Sequence, residues 1–145
     1  MHEVDIAVSF YRQRVRAPLA LVADDDPDVV AILKEALGRL GYTVIGARDG
    51  VDAMQQLARA GSRRLDVLVT DIVMPRGSGL DLIRCVTAEH APRAVITVSA
   101  FGDRSVRAEA RALGAHAVFD KPFHLDDLLR IVQRLAPARA RRVAH

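Results

Sequence analysis

Five short apolar runs alternate with five stretches of helical periodicity, and this rhythm limits the fold more than any other feature of the chain. The first run is Leu19 to Ala23. Asp26 then offers an N-cap oxygen, Pro27 suits the first helical position, and apolar spacing at Val30, Leu33, Leu37 and Leu40 carries a helix to a stop at Gly41. Thr43 to Ala47 reads as a second strand, followed by a helix over about Val51 to Ala60 that Gly61 closes. Val67 to Thr70 is a β-rich run ending at Asp71, and Pro75, Gly77 and Gly79 mark a loop. A helix over Leu80 to Glu89 precedes a strand at Ala94 to Val98. Arg104 to Leu113 reads as a helix ended by Gly114. Ala117 to Phe119 is a short strand before Lys121-Pro122, and Leu125 to Leu135 is the last helix. Strands that alternate with helices run parallel through right-handed crossovers, which predicts an α/β three-layer sandwich with helices on both faces of the sheet. Near-continuous apolar strands fit a sheet covered on both sides.

This pattern divides the 145 residues into an N-terminal extension at 1–18, one domain at 19–135 and a basic tail at 136–145. The single Cys85 has no internal disulfide partner, so a reducing, cytoplasmic setting is expected. No apolar run reaches the roughly 18 residues needed to span a bilayer, so no membrane partner is expected. Only 4% of residues are aromatic, which leaves little for stacking on nucleic-acid bases. The arginines of RQRVR and RARRVAH raise the charge at the two ends, and solvated ends are the expectation there.

In an open parallel sheet, sites form beyond the carboxyl ends of the strands. Asp24, Asp25 and Asp26 follow the first strand, Asp71 the third, Ser99 the fourth and Lys121 the fifth. Two like charges about 4 Å apart repel by roughly 4 kcal/mol at an effective dielectric near 20. Capping accounts for Asp26, because Pro27 follows it. Asp24, Asp25 and Asp71 are surplus to capping, and a hard divalent cation such as Mg2+ would relieve their crowding. A lysine facing such a cluster can grip an incoming phosphate. Together with a hydroxyl these groups are the parts of a phosphoryl-transfer site.

The strings LVADDDPD, VTDIVMPRGSGLDL, VITVSA and FDKPF, in this order and spacing, resemble the receiver domains of two-component response regulators from about Leu19 to Leu135. The resemblance implies a (βα)5 fold with five parallel strands in the order 2-1-3-4-5. It implies that Asp71 is the phosphoacceptor and that Asp25 and Asp24 hold Mg2+, directly and through water. The backbone carbonyl of Val73 is the implied third protein contact to the ion. Ser99 and Lys121 are the implied partners of the phosphoryl oxygens, and Pro122 is similar to a proline whose preceding bond is usually cis. The implied donor is a sensor histidine kinase or a histidine phosphotransfer protein. The implied output is a changed protein-interaction surface around the fourth helix, fifth strand and fifth helix, through which a homodimer or a downstream protein partner would engage. The resemblance further implies a phosphoacceptor that is not a turnover enzyme, as a single-domain regulator or as the receiver of a hybrid kinase. No DNA-binding module fits in RARRVAH, so direct DNA binding is not expected.

One departure concerns the switch. The family commonly carries Tyr or Phe three residues before the lysine, where this chain has Val118; Phe119 is the neighbour, facing the other way. A muted rearrangement, or one relayed through other side chains, is therefore expected when Ser99 moves. Val73 and Phe101, which flank the path of attacking water in the family, are both apolar, so a long-lived phosphoryl state is expected.

Two other functions account for less of the sequence. A haloacid-dehalogenase-type phosphatase would use the D-x-D within Asp24-Asp25-Asp26, but leaves DIVMP idle and has only Asp103 near the fourth strand. A phosphate-independent interaction module would normally have lost the aspartate or the lysine. His2, His90, His116, His124 and His145 lack ligand spacing and read as surface residues. Cys85 reads as a packed thiol and Arg104, Arg107 and Arg111 as a solvated helical face. Val4, Ile6, Val8 and Phe10 alternate as an extra strand or a loose arm would.

Overall fold

The computed structural model describes residues 15–100, 104–138 and 141–142. The alternating segment at Val4–Phe10, Phe101 and Asp103 lie outside them. Five parallel strands, β1 (Leu19–Ala23), β2 (Thr43–Ala47), β3 (Leu65–Thr70), β4 (Ala94–Ala100) and β5 (Ala117–Lys121), form one sheet in the order 2-1-3-4-5. Between and after them run α1 (Pro27–Arg39), α2 (Gly50–Arg59), α3 (Gly79–His90), α4 (Arg104–Ala112) and α5 (Leu125–Leu135).

Three helix starts are capped as their sequences dictate. Asp26, Asp49 and Ser78 place side-chain oxygens on the amides of Asp28, Asp52 and Asp81. Each helix then buries one stripe against the sheet. Leu57 of α2 and Leu82, Ile83 and Val86 of α3 cover one face over Leu21 and Leu68. Leu33 and Leu37 of α1 and Leu128 and Val132 of α5 cover the other, over Val67, Val69 and Ile96. Each fully buried leucine contributes roughly 1.5–3 kcal/mol. Because both faces are covered, the strands read as apolar at nearly every position.

β3 begins at Leu65 rather than Val67. The residue that interrupts the apolar run, Asp66, is only 1% exposed: it accepts the Leu19 amide at 3.3 Å and lies 3.8 Å from the Arg93 guanidinium. A buried, paired carboxylate thus occupies a strand position that hydropathy reads as a break. Cys85 is exposed, not packed, because the buried stripe of α3 passes through Leu82, Ile83 and Val86 on either side of it. Of the histidines read as surface groups, His116 and His124 are exposed and His90 is half-buried, and two of them also carry structural bonds. The Nδ1 of His90 accepts the Leu65 amide at 3.1 Å, and that of His116 accepts the Val95 amide at 2.9 Å, so each satisfies an N–H near the start of a strand. Arg104 and Arg111 are exposed as expected, whereas Arg107 pairs with Asp120 of β5.

The amino edge of the sheet holds both ends of the domain. Arg63 donates to the Ala17 carbonyl at 2.7 Å and Thr43 to that of Pro18 at 2.8 Å. Arg93 donates to the Pro137 carbonyl at 3.3 Å, and the Tyr42 hydroxyl donates to that of fully buried Ala136. Beyond these anchors Val15–Arg16 pairs antiparallel with Arg141–Arg142, so the tail expected to be solvated is paired at those two residues.

Burial pushes the Tyr42 phenol above its usual value. The folded state therefore favours the neutral hydroxyl, and its contribution is present below about pH 10, where the unfolded phenol is still protonated. That contribution is lost as pH climbs through the raised value. Tyr42→Phe, which leaves the Ala136 carbonyl without its donor, is expected to cost about 1–3 kcal/mol at neutral pH. The gap between parent and variant should narrow above about pH 10. Urea melts followed by far-UV circular dichroism across that range check both; a gap independent of pH would be the contrary result.

Candidate functional site

Three strand ends deliver charged side chains to one rim. β1 runs out into Asp24 and Asp25, β3 into Asp71, and β5 ends on Lys121. Backbone bonds fix the first two ends relative to each other and to β2: the Asp71 amide donates to the Ala23 carbonyl at 2.8 Å and the Asp24 amide to that of Ala47 at 3.0 Å. The carboxylates of Asp24, Asp25 and Asp71 then offer oxygens that all lie within 4.8 Å of one another. Asp24 is 1% exposed and Asp71 5%, while Asp25 faces solvent.

Within this cluster each buried oxygen has a distinct neighbour. Asp24 Oδ1 accepts the Asp26 amide at 2.9 Å, so Asp26 serves as both helix cap and support for Asp24. Asp71 Oδ1 accepts the Val73 amide at 3.2 Å. Lys121 Nζ lies 3.1 Å from Asp71 Oδ2 and 2.8 Å from Asp24 Oδ2. The ammonium is well directed only at Asp71. Asp24 Oδ2 has charge compensation without an aligned hydrogen bond. The peptide bond from Lys121 to Pro122 is cis.

The electrostatics follow from this crowding. Burial raises the Asp24 carboxyl above the ordinary carboxylate value, and Asp71 adds to the rise, against the lowering effect of Lys121 and the Asp26 amide. Burial alone would pull the Lys121 ammonium down; its contacts with Asp24 and Asp71 outweigh that and raise it. One ammonium thus sits between two of the three carboxylates, and Asp25 has no share in it. The donor set suits a hard divalent cation: three carboxylates converge, and the buried Asp24 Oδ2 lacks a directed partner.

Ser99 ends up buried near the end of β4, in register with Asp120, with no hydrogen bond to Asp71. Val118 packs with the α2–α4 side of the core and Phe119 with the α1–α5 side, where its ring centre lies 6.4 Å from that of Phe123. Val73 is 75% exposed beside the carboxylates.

The contacts that hold the loop after Asp71 are not legible in the sequence, where Pro75, Gly77 and Gly79 mark only a loop. Glycines with no room for a side chain line it: a Cβ on Gly79 would lie 1.9 Å from the Asp71 carbonyl oxygen. The Gly79 amide donates to the Ile72 carbonyl at 2.8 Å, folding the loop back on its own start.

Comparison with known proteins places the chain. The family model described as "Response regulator receiver domain" matches residues 20–133. The response regulator protein PilR of Pseudomonas aeruginosa is 34% identical over 113 residues, covering 78% of this chain and 25% of that one. Response regulator MprA of Mycobacterium ulcerans is 38% identical over 109 residues, covering 75% and 46%. The chain thus spans a quarter to a half of the length of these curated relatives. Among solved structures, a response regulator receiver protein from Pseudomonas putida superposes with a TM-score of 0.71 at 32% identity, covering 82% of this chain and 98% of that one. The BeF3-activated DrrB receiver domain superposes at 0.73 with 25% identity, covering 83% and 97%. With the strand order, the three convergent carboxylates and the lysine between two of them already in view, the chain belongs to the receiver domain family of two-component response regulators.

Proposed function

We propose that residues 19–135 act as a phosphoacceptor switch in which Asp71 takes a phosphoryl group from a phosphohistidine of a sensor kinase or phosphotransfer protein. One observation carries the reading: Lys121 Nζ stands within 3.1 Å of both Asp71 and Asp24 at the rim where three carboxylates converge. Asp24, Asp25, Asp71 and the Val73 carbonyl would hold Mg2+. When bound, the ion neutralises carboxylate charge and offsets the negative charge of the phosphoryl oxygens.

The Asp71 carboxylate, presented by the rigid end of β3, attacks phosphorus in line. The O–P bond forms as the P–N bond to the donor imidazole breaks, and the electron pair stays on that nitrogen. Lys121, already charged through its two aspartate contacts, stabilises an equatorial oxygen. The Val73 amide, bonded to Asp71 Oδ1, orients the carboxylate. Ser99 closes on another oxygen from the end of β4. Val118, in place of an aromatic, gives the α4 side of β5 no ring to swing, while Phe119 is packed on the α5 side; a muted rearrangement follows. A large inward movement of the Phe119 ring with a phosphate mimic would count against it.

This chain acts as a switch rather than a turnover enzyme and works in the cytoplasm. Its output passes to a protein partner, or a second copy, through the surface of α4, β5 and α5. The DrrB receiver domain superposed above is in a BeF3-activated form, which makes beryllofluoride the mimic of choice. Incubation with acetyl phosphate and Mg2+ should add one phosphoryl group per chain by intact mass, removable by hydroxylamine and absent with chelator. Val73 beside the site is apolar and cannot orient water, so the adduct should last for minutes or longer. No uptake from any donor would favour a phosphate-independent module. Continuous release of phosphate from an ester would favour a phosphatase.

A further inference from the structure

The loop that leaves Asp71 is held from outside by the first turn of α2. The Val51 amide donates to the Arg76 carbonyl at 3.2 Å. Arg76 Nη1 lies 3.9 Å from Oδ2 of Asp49, a carboxylate only 4% exposed whose other oxygen caps α2 through the Asp52 amide at 2.7 Å. Between these contacts two glycine backbones meet. A Cβ on Gly50 would lie 2.5 Å from the Gly77 carbonyl oxygen and 2.9 Å from its carbon. Gly77 has φ +80°, a left-handed conformation that glycine adopts without strain, and a Cβ there would lie 3.3 Å from Gly50 Cα and the Val51 nitrogen.

We infer that Gly50 and Gly77 are positioning residues for the Mg2+ site. The bare first turn of α2 lets the 72–78 loop seat against it, and that seat fixes the backbone of Val73 relative to the three carboxylates. The inference rests on the reading of the site given under Proposed function. The loop has three holds: the Val73 amide on Asp71 Oδ1, the Gly79 amide on the Ile72 carbonyl, and the α2 seat in its middle. Removing the middle hold leaves the segment between Asp71 and Gly79 free to shift. Mg2+ demands near-ideal octahedral geometry at about 2.0–2.1 Å, so a displacement of under about 1 Å suffices to spoil it. The clash partner at Gly50 is backbone, with no flexible tip to turn aside. Alanine is the better helix former, so any loss on substituting Gly50 comes from the seat and not from α2 itself.

Isothermal titration with Mg2+ on the full chain tests the inference. Gly50→Ala is expected to weaken Mg2+ binding roughly tenfold or more, and to slow labelling by acetyl phosphate roughly 10–100-fold. Amide exchange across residues 72–78 should quicken. Gly38→Ala, a helical glycine whose Cβ would meet nothing within 4 Å, should match the parent in both measurements. Leu57→Ala, which hollows the buried face of α2 away from the loop, should lower stability but keep Mg2+ affinity. If Gly50→Ala does not fold, Val51→Pro decides. Proline is accepted in the first turn of a helix; it removes the amide that holds Arg76 and turns a ring carbon toward that carbonyl, so it should weaken Mg2+ in the same direction. Parent-like Mg2+ affinity in Gly50→Ala, or in Val51→Pro where that variant decides, overturns the inference. So does an equal loss of affinity in Leu57→Ala. A parent chain that binds no Mg2+ would instead sink the reading of the site itself.

Discussion

Asp71→Asn is expected to take up no phosphoryl group from acetyl phosphate while folding as the parent does. The asparagine keeps the shape of the side chain and an oxygen for the Val73 amide, which the aspartate accepts at 3.2 Å. It removes the anionic oxygen that attacks phosphorus. Lys121 keeps Asp24 at 2.8 Å as a counter-charge, so the ammonium is not stranded. Loss of the Asp71 charge also removes one of the influences that raise the Asp24 carboxyl, easing the cost of a second buried anion. The melting temperature without Mg2+ should therefore move little, whereas the stabilisation by Mg2+ should shrink. In the parent that stabilisation is about 2.7 kcal/mol at a hundredfold excess of ion over Kd. Intact mass after incubation with acetyl phosphate reads the first effect, and thermal melts with and without Mg2+ read the second. Full labelling of the asparagine variant would move the phosphoacceptor elsewhere and undo the proposed mechanism.

Gly79→Ala is expected to destabilise the fold by about 3 kcal/mol or more. Its Cβ would sit 1.9 Å from the Asp71 carbonyl oxygen, and 2.8 Å from both the Asp71 carbonyl carbon and Ile72 Cα. All three are backbone atoms at the end of a buried strand, so relief requires β3, the loop or the start of α3 to move. The same residue donates its amide to the Ile72 carbonyl, and any displacement breaks that bond too. For a domain of this size such a loss lowers the melting temperature by roughly 10 °C. With no tryptophan in the chain, far-UV circular dichroism is the suitable probe. A drop of only about 1–2 °C would mean that the loop gives way cheaply and is not fastened as described.

The acidic rim was legible because its parts are local. Asp24 and Asp25 follow β1 directly, Asp71 follows β3, Lys121 closes β5, and parallel topology alone then brings strand ends together. Residues whose partners lie far along the chain were not legible. Asp66 looks like an interruption until Arg93 and the Leu19 amide surround it. His90 and His116 look idle until the amides of Leu65 and Val95, some 25 and 21 residues away, turn toward them. Arg107 belongs to a plausible solvated stripe until Asp120 arrives on β5. Cys85 fails for a different reason, since a position one step off the apolar stripe of α3 turns outward despite its apolar neighbours. The seat at Gly50 and Gly77 depends on the absence of side chains, and composition alone gives no hint of which glycines touch.

Residues 17 to 19 and 136 to 138 are moored at the amino edge of the sheet, whereas the carboxylates crown the opposite edge. A strand of five residues separates the two by roughly 17 Å. The points where the described chain leaves the sheet thus lie on the side away from the approach proposed for a phosphohistidine. A signal from the acidic crown to residues 17 to 19 or 136 to 138 would cross the body of the domain, through the helices or the strands themselves, instead of passing by touch.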